Sequence, residues 1–73
     1  MALNRIESQV AGTVWKLECA VGAPVAEGDT LLIVESMKME IPIDAPVAGT
    51  VTELCVAEGD AVAEGQVLVV VSG

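Results

Sequence analysis

An internal repeat is the feature that most constrains how this 73-residue chain can fold. Residues 11–36 align with residues 48–73 without a gap, at a separation of 37 positions, and 13 of the 26 aligned pairs are identical. So many identities indicate two half-domains of similar structure. Neither half is long enough to bury its own apolar face, so we expect the halves to pack together around an approximate two-fold axis.

Each half shows the pattern of short strands separated by turns. Valine is the commonest residue, and β-branched side chains favour a pleated sheet. We therefore predict one all-β domain over residues 1–73: two four-stranded antiparallel sheets packed face to face, or a flattened barrel, with a quasi-two-fold internal repeat. The predicted strands are residues 1–8, 13–19, 25, 30–35, 39–44, 50–56, 62 and 66–72.

The repeat also indicates which side chains of the long strand after each Gly-Thr pair point inward. In the second half, Val51, Leu54 and Val56 are apolar, and Thr52 and Glu53 between them are polar. A spacing of three and then two residues between inward positions indicates a β-bulge. We expect the same bulge at the equivalent place in the first half.

Applied to the first half, this phase places Val14, Leu17 and Cys19 in the interior. Trp15 should then be largely exposed, and in the second half Cys55 should face solvent. Because the two cysteines would lie on opposite faces, we expect no disulfide, and we interpret Cys19 as a small core residue.

The charge balance excludes several classes of partner. Three basic and 11 acidic residues give a net charge of −8, which repels phosphate backbones and anionic lipid, so neither nucleic acid nor a membrane is expected. No apolar run is long enough to span a bilayer, and the first residues lack the apolar core of a signal peptide. We expect a cytoplasmic protein that is monomeric as an isolated domain.

Residues 35–40 lie between two apolar runs and so indicate a β-hairpin. A two-residue turn at Met37-Lys38 would place Glu35 opposite Glu40. Such turns need positive φ and prefer Asn-Gly, and like charges directly opposite each other are unfavourable. An exposed lysine in a turn is ordinary, but flanking methionines usually fill cores. Local violations of this kind tend to lie at functional sites.

The hairpin and its surroundings resemble the attachment site of biotinyl and lipoyl carrier domains. The resemblance runs from about Gln9 to Val71, and at its centre stands the sequence Glu35-Ser36-Met37-Lys38-Met39-Glu40. Members of this family fold into a flattened barrel of two four-stranded sheets with the lysine at an exposed tip. The resemblance implies that Lys38 is the site of covalent biotin attachment. It also implies that a ligase recognises Met37 and Met39, and that Glu35, Ser36 and Glu40 form the flanks of the hairpin.

The function implied by the resemblance is that of a carrier without catalysis of its own. A biotin protein ligase would load Lys38. The tethered biotin would then shuttle a carboxyl group between the biotin carboxylase and carboxyltransferase components of a biotin-dependent carboxylase. A flexible tether raises the effective concentration of its cargo at both sites. Serine at position 36, where most biotin carriers have alanine, makes the chain most similar to small free-standing biotin/lipoyl attachment proteins.

Two alternatives remain open. A lipoyl carrier has the same fold but usually has Asp before the lysine and Ala after it, so Met37 and Met39 favour biotin over lipoate. An unmodified interaction domain could instead use Trp15 and an acidic, solvated face. The acidic residues assigned to that face are Glu27, Glu58, Asp60 and Glu64. The sequence contains no histidine and no metal-ligand cluster, so we expect neither autonomous acid–base catalysis nor a metal site.

Overall fold

The computed structural model describes residues 2–73, so Met1 of the first predicted strand lies outside the described residues. Every regular element in residues 2–73 is a β-strand, as predicted, and no helix there has the length and apolarity to cross a membrane. The strands are β1 (Leu3–Glu7), β2 (Gly12–Leu17), β3 (Pro24–Val25), β4 (Thr30–Ser36), β5 (Met39–Asp44), β6 (Gly49–Leu54), β7 (Ala61–Val62) and β8 (Val67–Ser72).

The strands form two four-stranded sheets in which every pairing is antiparallel. One sheet has the order β1-β8-β6-β3 and the other the order β5-β4-β2-β7, which confirms the predicted fold class. With β1–β4 counted as the first half and β5–β8 as the second, each sheet takes two strands from each half, so the halves are interlocked. The hairpin strands β4 and β5 belong to the second sheet.

The core lies between the sheets and is aliphatic. The central strands β4 and β8 contribute its most deeply buried side chains, at equivalent positions of the repeat. A fully buried side chain of this kind stabilises the fold by about 1.5–3 kcal/mol. The six with no exposed surface are Leu31, Leu32, Val34, Leu68, Val69 and Val71.

The predicted bulge is present in both halves, one residue wide. The register of β2 against β4 shifts between Val14 and Lys16, and that of β6 against β8 shifts between Val51 and Glu53. Val14 and Val51 are each 1% exposed, whereas Trp15 in the first bulge is 49% exposed, which confirms the predicted phase.

The two cysteines also follow the predicted phase. Cys19 is half-buried against the core, Cys55 is exposed, and both thiols are free. Strands β2 and β6 end at Leu17 and Leu54, two residues before the predicted ends. The chain turns soon afterwards, where the Ala23 amide donates to the Ala20 carbonyl.

The ends of the described chain lie far from the β4–β5 hairpin. Ala2 and Gly73 exchange two backbone hydrogen bonds, of 3.1 and 3.0 Å, beyond the last residue of β8. The hairpin lies instead near the start of β8. The Ser36 hydroxyl contacts the Ala11 carbonyl, and three residues before Ala11 the Ser8 amide donates to the carbonyl of Gln66, the residue just before β8. The six residues of β8, about 20 Å of strand, separate the two positions.

Candidate functional site

The hairpin between β4 and β5 has the register expected from the sequence. Ser36 pairs with Met39 and Glu35 with Glu40, so Met37 and Lys38 form a two-residue turn. Their φ angles are 50° and 65°, and they are the only non-glycine residues of the described chain with positive φ. Positive φ at both central residues defines a type I′ turn. A side chain held there costs of order 1–3 kcal/mol, so the turn carries strain that the rest of the fold supports.

The side chains at the tip of this hairpin point into solvent. Lys38 is exposed, and its neighbours Met37 and Met39 are 93% and 64% exposed. Within residues 2–73, the only ion pair joins Lys16 to Glu18, so the Lys38 amine is not held by a carboxylate. The tip therefore presents one primary amine between two thioethers, and no other group of residues 2–73 covers it.

Both glutamates of the predicted flanks are exposed on β4 and β5, directly opposite each other. Neither forms an ion pair with Lys38 in the described structure. The like-charge pair predicted for Glu35 and Glu40 is therefore present and unrelieved. It is a second local cost next to the strained turn.

Ser36 has a structural role that sequence reasoning missed. Its hydroxyl donates a 2.8 Å hydrogen bond to the carbonyl of Ala11, in the loop before β2. This bond ties the stem of the hairpin to the body of the domain. The one sequence signal for it was the serine itself, at a position where the resemblance leads one to expect alanine.

The stem below Ser36 is held tightly by packing. Val34 has no exposed surface and pairs with Val14 on one side and with Ile41 on the other. Gly12 of β2 lies so close to β4 that a Cβ on it would overlap the carbonyl oxygen of Glu35. An exposed turn therefore stands on a tightly packed stem, which is the arrangement that holds a reactive group in a defined place.

We expect Met37→Asn to stabilise the protein by about 1 kcal/mol, because asparagine tolerates positive φ and is preferred at the first position of a type I′ turn. Equilibrium unfolding in urea measures the change. Met39→Asn is the matched control, because Met39 lies in β5 outside the turn and asparagine is a poor strand former. Equal midpoints for Met37→Asn and the wild type would show that the turn carries no strain.

The remaining candidates do not form a second site of comparable definition. No cluster of three potential metal ligands exists among residues 2–73. Burial raises the pKa of the Cys19 thiol, and burial together with the Glu53 carboxylate raises the pKa of Cys55, so both thiols are poor nucleophiles at neutral pH. A groove of about 390 Å³ lies between strands β1 and β5.

The acidic residues expected to form a solvated face are all exposed, but two of them also bond to the backbone. The Glu58 carboxylate accepts a 3.0 Å hydrogen bond from the Leu17 amide at the end of β2. The Asp60 carboxylate accepts one of 2.9 Å from the Ala57 amide and closes a turn. These acids therefore shape loops as well as keep the surface solvated.

Comparison with known proteins identifies the family around this hairpin. The biotin/lipoyl family, described as "Biotin-requiring enzyme", matches residues 5–71. The chain is 45% identical over 40 residues to a Bacillus subtilis protein named "Biotin/lipoyl attachment protein", covering 55% of each chain. It is 44% identical over 38 residues to "Biotinylated protein TB7.3 homolog" of Mycolicibacterium smegmatis, covering 52% of this chain and 54% of that one. The matches span about half the length of these curated relatives.

Two solved structures share the fold closely. The urea carboxylase of Kluyveromyces lactis superposes with a TM-score of 0.92 and 32% identity, over 99% of this chain and 6% of that one. A single-chain, multi-domain long-chain acyl-CoA carboxylase superposes with a TM-score of 0.88 and 32% identity, over 93% of this chain and 7% of that one. In both, the similar part is a small fraction of a much larger protein.

Proposed function

This chain belongs to the biotin/lipoyl family, and from that premise we propose that it is a carrier domain that holds biotin covalently on Lys38. The observation that carries the proposal is the strained, solvent-exposed turn with its unpaired amine. The residues present fit the group: an attachment lysine must be reachable by a ligase and unburied after loading, and Lys38 meets both needs.

The reaction that loads the carrier is an acyl transfer onto Lys38. The Nζ atom in its neutral form attacks the carbonyl carbon of an activated biotin, an amide bond forms, the leaving group departs and the amine loses its proton. In the described part of the chain, no carboxylate lies within ion-pair distance of Lys38 to take that proton. The base must therefore come from a biotin protein ligase, which we propose as the first partner.

Once loaded, biotin supplies a ring nitrogen that can carry a carboxyl group. The chain's own contribution is mechanical: the rigid stem of β4 and β5 positions the turn, and the lysine side chain starts a long flexible tether. Such a tether lets one carrier visit two active sites at high effective concentration.

We propose the biotin carboxylase and carboxyltransferase components of a carboxylase as those later partners, supported by the fold shared with two carboxylases. Members of this carrier family are not catalytic by themselves, and the proposed role needs no catalysis from this chain. The isolated domain is proposed to be a monomer. A cytoplasmic location stays a prediction.

Intact-mass measurement of the protein made in cells that contain both biotin and lipoate ligases tests the proposal. A biotin-sized increment is expected. A lipoate-sized increment would replace biotin by lipoate as the cofactor. No increment in the presence of both ligases would leave an unmodified interaction domain and would refute the carrier role.

The two thioethers should be recognised by the ligase. We expect Met37→Ala and Met39→Ala each to lower kcat/KM for biotin attachment about tenfold, because each removes an exposed apolar contact worth about 1.4 kcal/mol. Initial rates with purified ligase measure this. Leu3→Ala is the matched control. Like the two methionines, Leu3 is an exposed apolar residue, with 59% of its surface accessible, but it lies near the chain ends. Wild-type rates for both methionine variants would refute recognition of the thioethers.

A further inference from the structure

Three apolar residues lie side by side across the outer surface of the hairpin sheet. Ile33 on β4 has Pro42 of β5 on one side and, on the other, the bulge of β2 that contains Trp15. On β4, Ile33 is half-buried between two completely buried neighbours, so it faces away from the core. Trp15 and Pro42 are exposed. We call Trp15, Ile33 and Pro42 the outer row.

The second half of the repeat shows that folding does not require an aromatic residue in the bulge. At the equivalent positions of the other sheet lie Thr52, Val70 and Arg5. Thr52 occupies the second bulge and its hydroxyl donates a 3.2 Å hydrogen bond to the Val70 carbonyl. Val70 itself is only 6% exposed. The same bulge thus forms with a small polar residue, so the fold does not need the indole of Trp15.

The outer row lies close to the attachment lysine. Two pairs, Val34–Ile41 and Glu35–Glu40, separate it from the last pair of the hairpin, Ser36 and Met39. Three residues of strand correspond to about 10 Å. Trp15 is 49% exposed, and the two exposed thioethers flank Lys38 at the tip of the hairpin of the same sheet. An exposed apolar cluster with a polar rim is typical of an interaction surface.

The rim of the outer row is mostly acidic. Glu35 and Glu40 lie at its hairpin end, and Asp44 lies two residues beyond Pro42 on β5. These three carboxylates are exposed. Two bases lie beside the row: Lys16, whose charge is offset by Glu18 at 3.5 Å, and Arg5, which lines the groove that also contains Pro42. A complementary partner would offer an apolar pocket surrounded by lysine or arginine.

We propose that the outer row is the docking surface for the enzyme that acylates Lys38; this rests on the function proposed above. The reason is the short length of the unmodified lysine side chain. A bare lysine side chain extends only about 6 Å, so the enzyme that loads it must cover the sheet surface beside the hairpin. Enzymes that use the loaded carrier meet a much longer tether and need not touch the row. Tryptophan is also the residue most enriched at interaction hot spots.

Trp15→Thr tests the proposal, because it copies the residue that the second half uses in the same bulge. We expect kcat/KM for biotin attachment by purified ligase to fall about tenfold through a higher KM for the carrier, with the melting temperature unchanged. Ile33→Thr should act in the same direction. Val21→Thr is the matched control, since Val21 is 62% exposed in a turn outside the row, and it should keep the wild-type rate.

The outcomes separate this proposal from the carrier function itself. If the wild-type chain is loaded and Trp15→Thr is loaded equally fast, the docking proposal is wrong and the carrier function stands. If Trp15→Thr is loaded normally but the loaded protein is a poorer substrate of a carboxylase, the surface serves a later partner, which also overturns the proposal. If the wild-type chain accepts no cofactor, the proposed carrier function is wrong, and the docking proposal that rests on it is wrong as well.

Discussion

Replacing Lys38 with arginine is expected to abolish covalent attachment of the cofactor completely while leaving the fold unchanged. The guanidinium keeps the charge and approximate length of the side chain but is always protonated, so it cannot act as the nucleophile. Lys38 is exposed and forms no ion pair within residues 2–73, so the exchange removes no contact that the fold needs. Intact mass after treatment with ligase, together with the melting temperature, measures both effects.

Lys16→Arg is the control for this experiment. Lys16 is the only other lysine in the chain, lies on β2 and pairs with Glu18 at 3.5 Å. This variant should be loaded as the wild type is. Cofactor on Lys38→Arg, or its loss from Lys16→Arg, would move the attachment site away from the hairpin tip.

The repeat made much of the fold predictable because it presents the same structural problem twice with different side chains. In one half the bulge contains tryptophan, which alone would have suggested a buried aromatic residue. In the other half the same position is Thr52, and threonine there fits only an exposed bulge. The repeat therefore predicts that Trp15 lies at the surface, and the structure confirms it.

Contacts between parts distant in sequence were not predictable in the same way. A repeat shows that two halves are alike, but it does not show that each sheet takes two strands from each half. The bond from Ser36 to Ala11 and the close approach of Gly12 to Glu35 both depend on how β2 is placed against β4. That placement is a tertiary property and leaves little trace in the local pattern.

In the hairpin, the candidate site could be predicted from the sequence, but the contacts that hold it in place could not. Two residues with positive φ and two opposed glutamates are each unfavourable locally. They are tolerated because the buried strand β4 and the Ser36 bond over-determine the stem below them. The sequence alone indicates the unfavourable turn and the opposed glutamates. The contacts that support them depend on how the strands pack and are seen only in the structure.

Gly12→Ala should disturb the packing that supports the hairpin stem. We expect it to destabilise the domain by about 2–3 kcal/mol and also to slow the loading of Lys38. A Cβ at Gly12 would overlap the Glu35 carbonyl oxygen and come within 2.9 Å of Val34 Cγ1. Overpacking of this kind typically costs 1–3 kcal/mol. In a domain of this size that lowers the melting temperature by about 10–20 °C. Thermal unfolding followed by circular dichroism measures it.

Gly49→Ala distinguishes a distorted hairpin from general loss of stability. Gly49 is the repeat partner of Gly12, and a Cβ there would overlap the Ser72 carbonyl oxygen near the chain ends. Both variants should lose similar stability. At a temperature where both are folded, however, only Gly12→Ala should be loaded slowly, because only its clash displaces Glu35 and with it the stem that holds Lys38. Equal loading of the two variants would show that the ligase requires the tip of the hairpin alone and is indifferent to how its stem is held.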